Sequence, residues 1–534
     1  MKIFVKIFFR YLIVIFLAFL FDCIFNEITE SVIYNLVENI LFAIILVCPH
    51  LIINNKRISH LLYVVFYLVF SLSVCIETIY YFLFDTTFGS SVIFVVLDSN
   101  YQESKEFIRF YSNTYIILFV IIFFIAIILN LIALKQKDFI INERLKAFRI
   151  KIFGLFIGIL VFLKLSLLII YNSPYMIIRA GIEYYIESKK LSHYANDKNG
   201  NFSDVSRSFD MQGQEVYVII IGEATSRLHL GIYDYYRNTT PLLEDMEDEL
   251  LIYNKVISPD TYTIASLTKA LTLGNYENPE AKFEGSIIQL LNKANFKTYW
   301  VSVQKPAGAD DSQITNLGLG ADKSYFLNIK RAEGKTIHDE VLVEKLDKIL
   351  LEKGNKKVIF LHTLGTHVDY KNRYPESFKF FNNEIPKTKF KKEHIYKEIN
   401  AYDNAVRYTD YIISSVIKTV KKANAHSCVL YFSDHGEEVY DDIEFSGHFR
   451  DKLRTKNVYE IPFILWRSEN YKEGKTMFPH LDSKYMIDDL FHSMADLFSI
   501  KAKEVDYTRS IFSEHFKERK RIVGDSVDYD NYFK

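Results

Sequence analysis

The sequence predicts a bundle of five transmembrane helices followed by an α/β domain with a mostly parallel sheet. The chain has 534 residues, of which 49% are hydrophobic and 16% aromatic, and the apolar residues are concentrated in the first third. Five apolar runs there have about 20 residues or more, the length that crosses a bilayer core. Beyond residue 215, short apolar runs alternate with longer amphipathic segments, a pattern typical of βαβ units.

The five apolar runs define the predicted transmembrane domain, residues 1–171. They are residues 3–25, 32–53, 61–84, 115–134 and 152–171. The first run is too long for a cleaved signal peptide and lacks a small-residue cleavage site, so we expect it to be retained. The connection 85–113 is amphipathic and partly charged, which predicts a helix at the outer membrane interface.

Lys and Arg residues predict the orientation, because short cytoplasmic loops retain positive charge. They lie at the start of the first run and in the connections after the second and fourth runs: Lys2, Lys6, Arg10, Lys56, Arg57, Lys135, Lys137, Arg144, Lys146, Arg149 and Lys151. We therefore expect a cytoplasmic N-terminus, with everything after residue 171 outside. In a bacterium that places the C-terminal part in the periplasm, anchored to the inner membrane.

Besides Lys6 and Arg10 at the start of the first run, four charged residues lie within the apolar runs, where charge is costly and often functional. Asp22, Glu77 and Lys164 fall near run ends, where we expect their side chains to reach the membrane interface. Glu38 is further from an end.

The net charge argues against a nucleic-acid-binding protein, and the cysteine content argues against a disulfide-stabilised domain. The formal net charge is −1, whereas a nucleic-acid-binding domain normally carries a strong basic excess. The four cysteines have neither paired nor metal-binding spacing, so no disulfide framework is expected.

Residues 172–214 predict a bridging helix and a polar linker, and residues 215–534 an external catalytic domain. Predicted strands are residues 216–221, 298–303, 358–362, 428–433 and 461–466. Predicted helices are residues 263–273, 286–294, 339–351, 400–422 and 486–498.

Polar residues follow two of these strands at the edge where open α/β sheets bind ligands. Asp434 and His435 come directly after strand 428–433, and Glu223 comes after strand 216–221. Carboxylates with an imidazole favour zinc or manganese over calcium, which prefers cages of oxygen atoms alone. These three residues are therefore predicted metal ligands.

The segment 258–266 supplies the predicted nucleophile. Thr261 resembles an N-cap, which places Thr263 in the first turn of a helix, where the dipole and unpaired N–H groups favour an anion. A hydroxyl there, next to a divalent metal, could lose its proton and attack phosphorus.

Two histidines complete the expected site. His367 follows strand 358–362, and His448 lies just past the Asp434 segment. Either one could protonate a leaving oxygen, bind phosphate or hold a second metal. His362, within the strand itself, is expected to be structural.

Several segments, in order along the chain, resemble the membrane phosphoethanolamine transferases of the alkaline-phosphatase/sulfatase superfamily. They are Gly-Glu-Ala-Thr-Ser-Arg at 222–227, Tyr-Tyr-Arg-Asn-Thr-Thr-Pro at 235–241, Thr-Tyr-Thr at 261–263, His-Thr-Leu-Gly-Thr-His at 362–367, Arg-Tyr-Pro at 373–375, Ser-Asp-His-Gly-Glu at 433–437 and Gly-His at 447–448. The form of the Arg-Tyr-Pro segment is closer to the lipopolysaccharide-core type than to the lipid A type.

The resemblance implies an alkaline-phosphatase-like α/β/α catalytic domain and assigns roles to individual residues. The implied zinc ligands are Glu223, Thr263, Asp434 and His435, with Thr263 as the nucleophile that carries phosphoethanolamine. His367 and His448 match the substrate-side histidines of the family. Ser99, Glu103 and Gln304 are implied substrate contacts.

The resulting hypothesis is a monomeric, zinc-dependent phosphoethanolamine transferase of the inner membrane. Phosphatidylethanolamine would be the donor, and a lipopolysaccharide core, lipid A or another surface glycan the acceptor. A second zinc and manganese remain open alternatives. Competing hypotheses are a glycerophosphate transferase of the lipoteichoic-acid type and a non-catalytic membrane sensor. A sulfatase would need a Cys-x-Pro-x-Arg or equivalent serine motif, which the segment around Thr263 lacks.

Overall fold

The computed structural model describes residues 2–53, 55–86, 88–99, 101–135, 148–209, 213–304, 313–328, 337–448 and 454–534. They divide into two compact units. The membrane unit contains Met1–Leu97 and Ile108–Ile186. The catalytic unit contains Asp98–Phe107, Glu187–Phe449 and Leu453–Lys534.

Long apolar helices dominate the membrane unit. The helices of this part of the chain are α1 Lys2–Phe25, α2 Glu30–Ile52, α3 Lys56–Phe84, α4 Ser90–Asp98, α5 Tyr101–Tyr111, α6 Thr114–Ala133, α7 Arg149–Leu165 and α8 Ser173–Leu191. Of these helices, Asp98 of α4, Tyr101–Phe107 of α5 and Glu187–Leu191 of α8 belong to the catalytic unit. Among the described residues, α1, α2, α3 and α6 are long and apolar enough to span a membrane. The fifth expected helix is present as α7, which has 17 residues and is followed by a 3-10 turn at Leu168–Tyr171.

Polar residues inside this bundle depart from the expectation for helix ends. Glu77 is only 8% exposed, and its carboxylate accepts hydrogen bonds from the side-chain amides of Asn35 and Asn39. Its side chain therefore does not reach for the interface, and the expectation was wrong because neighbouring helices supply N–H donors inside the bundle. Residues 136–147, with several of the charges that predict orientation, lie outside the described residues.

The catalytic unit is built on a seven-stranded sheet with the order β3-β11-β8-β2-β7-β5-β6. The strands of the chain are β1 Ser206–Arg207, β2 Glu215–Gly222, β3 Leu250–Ile252, β4 Val256–Ile257, β5 Lys297–Ser302, β6 Lys323–Phe326, β7 Lys356–His362, β8 His426–Ser433, β9 Glu438–Val439, β10 Ser446–Gly447, β11 Phe463–Arg467, β12 Tyr485–Met486, β13 Ile500–Lys501, β14 Ile522–Val523 and β15 Val527–Asp528. Strands β8, β2, β7, β5 and β6 run parallel, and β11 pairs antiparallel with both β8 and β3. The prediction of a mostly parallel sheet is confirmed.

The side chains of β2 alternate between two apolar cores, which shows that both faces of the sheet are covered. All eight of its residues are buried. Tyr217, Ile219 and Ile221 belong to one apolar core, whereas Val216, Val218 and Ile220 belong to another. A strand buried on both sides is typical of a parallel sheet between two helical layers, which is the α/β/α arrangement.

Three helices of these layers begin within one residue of the predicted positions 263, 286 and 339, whereas the helix predicted to begin at 486 begins at Leu490, because Tyr485–Met486 forms a strand. The helices of this unit are α9 His193–Asn196, α10 Pro241–Glu244, α11 Thr263–Leu271, α12 Ile287–Lys293, α13 Gln313–Leu319, α14 Glu340–Leu350, α15 Glu393–Lys422, α16 Glu469–Gly474, α17 Leu490–Leu497 and α18 Tyr529–Tyr532. The N-cap of α11 is Tyr262 rather than Thr261, so Thr263 is the first helical residue. Helix α15 begins seven residues before the predicted start at residue 400. The side chains of Ile395 and Ile399 are buried and extend the apolar face of the helix into a polar segment.

Candidate metal centre and active site

The register of the sheet brings the predicted ligands together. Gly222 at the end of β2 is paired with Ser433 at the end of β8, so Glu223 and Asp434 emerge side by side. His435 Nε2 lies 3.4 Å from Glu223 Oε1 and 3.5 Å from Asp434 Oδ2. The three side chains are almost completely buried, and their ligand atoms lie within 4.8 Å of one another.

Two unsatisfied atoms in this cluster fit a cation. Asp434 Oδ2 and His435 Nε2 are buried and have no hydrogen-bond partner. Buried polar atoms normally find a partner, and an orphaned atom calls for a missing ion or water. Burial and the nearby Glu223 raise the pKa of Asp434 to about 6. Burial disfavours protonation of His435, but Asp434 and Glu223 raise its pKa to about 10, which shows how strongly this site attracts positive charge.

Hydrogen bonds to one atom of Asp434 and one of His435 leave the other atom of each side chain available to a metal. Asp434 Oδ1 accepts the backbone N–H groups of Ala224, at 3.0 Å, and of His435, at 2.7 Å, which leaves Oδ2 for a metal. His435 Nδ1 lies 2.8 Å from the carbonyl oxygen of Gly436 and donates to it. That bond fixes the tautomer in which Nε2 carries a lone pair, as a metal ligand requires.

Two glycines permit the tight backbone packing around these ligands. A Cβ atom on Gly436 would lie 1.9 Å from the carbonyl oxygen of Asn457. Gly365 has φ of +49°, and a Cβ there would lie 2.7 Å from the carbonyl oxygen of Glu223. Only glycine fits these two positions without moving the ligand backbone.

Thr263 stands next to the cluster, at the N-terminus of α11. Its Oγ1 is 3.3 Å from Oε1 and 3.2 Å from Oε2 of Glu223, to which it donates. The helix is anchored to the ligand segment, because the hydroxyls of Ser258 and Ser266 both donate to the carbonyl oxygen of Asp434. The fourth predicted ligand is therefore held beside the other three, with the unpaired N–H groups of the helix N-terminus around it.

Gln304 lies beside the predicted ligand Glu223. Its side-chain amide donates to Glu223 Oε2 and to the carbonyl oxygen of Thr363, both at 3.0 Å. It therefore orients a predicted metal ligand, and its role in substrate binding stays a prediction.

His448 lies against His435 and is held by a carboxylate. The two imidazole rings have centroids 4.3 Å apart. His448 Nδ1 is 2.6 Å from Glu437 Oε2, and Glu437 Oε1 accepts the Tyr370 hydroxyl at 2.7 Å. Burial raises the pKa of Glu437 to about 7, and burial together with His435 holds the pKa of His448 well below its usual range. His435, Glu437 and His448 also form a second group able to hold a metal.

His367 is kept neutral by its surroundings. Burial, the Arg373 guanidinium and His448 lower its pKa to about 4. Arg373 donates to the carbonyl oxygens of His367, at 3.0 Å, and Val368, at 2.6 Å, and forms a buried ion pair with Glu106. The arginine of the Arg-Tyr-Pro segment therefore shapes the loop that carries His367.

Glu106 lies in Asp98–Phe107, the segment that clusters with the catalytic unit. Ser99 and Glu103 lie on the same segment, and their role in substrate binding stays a prediction. His362 packs against Trp300, with ring centroids 5.5 Å apart, and its Nδ1 lies 3.3 Å from Ser302 Oγ. These contacts agree with the structural role expected of it.

Two features of the catalytic unit were missed by sequence reasoning. Glu437 stands two residues after His435, and that spacing was the available signal for a carboxylate next to the metal ligands. The other is His229, whose Nδ1 lies 2.8 Å from Asp403 and whose Nε2 lies 3.1 Å from Asp441. Nothing in the local sequence of His229 indicates either partner.

Comparisons with known proteins agree with this geometry. The sulfatase family model matches residues 215–500. Phosphoethanolamine transferase EptC of Escherichia coli K12 is 28% identical over 562 aligned positions, covering 96% of this chain and 95% of that protein. Phosphoethanolamine transferase CptA of Salmonella typhimurium is 28% identical, covering 84% of this chain and 83% of that protein.

Two solved structures match parts of the fold. The periplasmic domain of E. coli EptC in complex with Zn is 32% identical, with a TM-score of 0.59, covering 62% of this chain and 97% of that domain. The membrane protein lipooligosaccharide phosphoethanolamine transferase A of Neisseria meningitidis has a TM-score of 0.67 at 19% identity, covering 96% of this chain and 97% of that protein, which shows a shared fold. The chain thus belongs to the sulfatase family and, within it, to the membrane phosphoethanolamine transferases.

Proposed function

We propose that this protein transfers phosphoethanolamine from phosphatidylethanolamine, through an intermediate on Thr263, to the core sugar region of a lipopolysaccharide. One observation carries the proposal. The Thr263 hydroxyl stands at a helix N-terminus, 3.2 Å from Glu223, beside the two orphaned ligand atoms of Asp434 and His435.

The residues that would hold a zinc ion are Glu223, Thr263, Asp434 and His435. When bound, zinc would acidify a neighbouring hydroxyl and neutralise charge that develops on phosphoryl oxygens. The Zn complex of the related EptC domain supports this choice of metal. One zinc ion would satisfy these four residues, and the second group around Glu437 is where another would bind.

In the first step, Thr263 Oγ1 forms a bond to phosphorus and the bond from phosphorus to the diacylglycerol oxygen breaks. The hydroxyl proton of Thr263 leaves as this bond forms, and the departing oxygen takes up a proton. Neutral His367 and His448 are the groups that can accept a proton and pass it on. In the second step an acceptor hydroxyl loses its proton and forms a bond to phosphorus, while the bond from phosphorus to Thr263 Oγ1 breaks and Oγ1 takes up a proton. The N-terminal N–H groups of α11 stabilise the phosphoryl oxygens in both steps.

The proposed location follows from the apolar helices and the charge pattern. The N-terminus would be cytoplasmic and the catalytic unit periplasmic, with the protein acting as a monomer in the inner membrane. The Arg-Tyr-Pro segment, shared with the lipopolysaccharide-core type, favours a core sugar over a lipid A phosphate as the acceptor.

The test is mass spectrometry of surface glycolipids from a deletion strain that carries either the wild-type gene or Thr263→Ala. We expect phosphoethanolamine additions with the wild type and their absence with Thr263→Ala. Thr268→Ala is a matched control, because this threonine is on the same helix and its buried hydroxyl has no partner among the described residues. Identical glycolipids in all strains would refute the proposed function.

The mass of the intact purified protein tests the intermediate separately. A phosphoethanolamine adduct on Thr263 supports the two-step route. A glycerophosphate adduct there would instead establish the lipoteichoic-acid type of reaction, and an adduct on another residue would refute the assignment of the nucleophile.

A further inference from the structure

A polar cleft lies inside the membrane unit, among the ends of α1 and α3 and the start of α2. Its walls include Asp22, Asn35, Glu77, Tyr171 and Ser173. The cavity volume open to the centre of a water-sized group is about 20 Å³. That volume is enough for one water molecule or one ammonium group. Asp22, Asn35 and Tyr171 are partly exposed, so the cleft opens to the surface of the unit.

The cleft contains two carboxyl groups without a protein cation. Glu77 accepts from Asn35 at 3.0 Å, from Asn39 at 3.3 Å and from the backbone N–H of Ser173 at 3.3 Å. Asp22 accepts from the Asn26 amide at 2.9 Å. None of these donors is charged, and among the described residues neither carboxylate has a Lys or Arg partner. A carboxylate inside a membrane bundle is costly unless a cation compensates it, and such a residue is a candidate functional site.

An unpaired acceptor lies near the cleft. Glu38 is fully buried; its Oε1 accepts from Asn172, the chain neighbour of the lining residue Ser173, and its Oε2 has no partner. Ser173 is 2% exposed, and its hydroxyl interacts with the Glu77 carboxyl group. An ammonium group, which offers three N–H donors and accepts none, suits a cleft lined by carboxyl oxygens.

We propose that this cleft binds the primary ammonium group of a lipid head group. The choice of a lipid as the source of the ammonium rests on the proposed function, in which phosphatidylethanolamine is the donor. In the proposed orientation the cleft is at the periplasmic end of the helices, at the depth of lipid head groups. Tyr81 and Tyr171 lie in its wall, and tyrosine rings are common at that depth and attract cations through their faces.

The test measures lipid binding by the full-length protein in detergent, using native mass spectrometry. Thr263→Ala is used as the background so that bound lipid is not consumed. The probes are phosphatidylethanolamine and phosphatidylcholine with identical acyl chains, because the choline head group has no N–H donor. We expect the ethanolamine lipid to bind preferentially, and Glu77→Gln or Asp22→Asn to weaken its binding by about tenfold, as expected for a hydrogen bond to a charged group.

Glu30→Gln is the matched control, because Glu30 is an exposed carboxylate at the start of α2 in the same unit. It should leave lipid binding unchanged. Asp22→Asn is a second variant in case Glu77→Gln does not fold, since Asp22 is at the partly exposed rim of the cleft. Equal binding of the two lipids, or unchanged binding in both cleft variants, would overturn the proposal and leave a protonated or water-filled cleft.

This outcome is distinguishable from failure of the proposed function. Lipid binding is measured without turnover, so it can succeed where transfer fails.

Discussion

Replacing Glu437 with glutamine tests whether a carboxylate sets the protonation pattern of His448. Glu437 is fully buried, with Oε2 2.6 Å from His448 Nδ1 and Oε1 2.7 Å from the Tyr370 hydroxyl. Above its pKa of about 7, the ionised carboxylate can only accept, so His448 must carry its proton on Nδ1. Its Nε2 then has a lone pair that can accept a proton.

Glutamine has nearly the same shape but reverses this hydrogen bond. Its carbonyl oxygen can still accept from Tyr370, which turns the NH₂ group toward His448 and makes Nδ1 an acceptor. The proton then moves to Nε2, which can no longer accept one. A comparable carboxylate-to-amide change that fixes the wrong histidine tautomer lowers kcat by about 10⁴-fold, whereas loss of an ordinary outer partner costs about 10- to 100-fold. We therefore expect Glu437→Gln to lower kcat by at least about 100-fold.

The assay is transfer from a fluorescent phosphatidylethanolamine at pH 8, with zinc content and Tm measured in parallel. Glu444→Gln, an exposed carboxylate on the same segment, is the control and should keep wild-type activity. Activity of Glu437→Gln within about threefold of the wild type, at equal zinc content, would refute the tautomer argument. Loss of zinc from the variant would show instead that Glu437 is a metal ligand.

Two further predictions concern metal affinity and stability. Gly365→Ala should weaken zinc binding by about tenfold or more, because the new Cβ would lie 2.7 Å from the Glu223 carbonyl oxygen and the backbone φ there is +49°. Gly181→Ala is the control, because a Cβ at Gly181 has no atom within 4 Å. Equal zinc affinity of the two variants would contradict this prediction. Burial disfavours protonation of His229, but its two aspartate partners raise its pKa to about 10, above the ordinary value of about 6.5. The stabilisation from its charged form is therefore complete below about pH 6.5 and is lost as the pH rises through about 10. The Tm difference between wild type and His229→Gln should be larger at pH 6 than at pH 10, and a difference that does not change with pH would show that His229 is not charged in the fold.

Much of the fold was predictable because the signals are local. Runs such as 216–221 and 428–433 are apolar without interruption, as strands buried on both faces must be. The four longest apolar helices stand out by length and composition alone. Since parallel strands end at a common edge, the residues that follow β2 and β8 could be expected to meet, and the structure places Glu223, Asp434 and His435 together.

The details of the site were less predictable, because they depend on pairs far apart in the chain. The alignment of β5 beside β7 places the Gln304 amide on Glu223, a contact that the local sequence does not indicate. Glu77 resembled an interfacial carboxylate, but packing of α2 against α3 encloses it with Asn35 and Asn39. In each case the residue type was compatible with several partners.

The sequence by itself determined the class of protein: apolar runs long enough to span a membrane, an α/β domain, and a threonine, carboxylates and a histidine at the expected strand and helix ends. Only the tertiary structure decided which atoms remain available for chemistry. Hydrogen bonds occupy Asp434 Oδ1 and His435 Nδ1 and leave Oδ2 and Nε2 unpaired. The physical reason is that residue type sets which donors and acceptors exist, whereas long-range packing sets which of them are already satisfied.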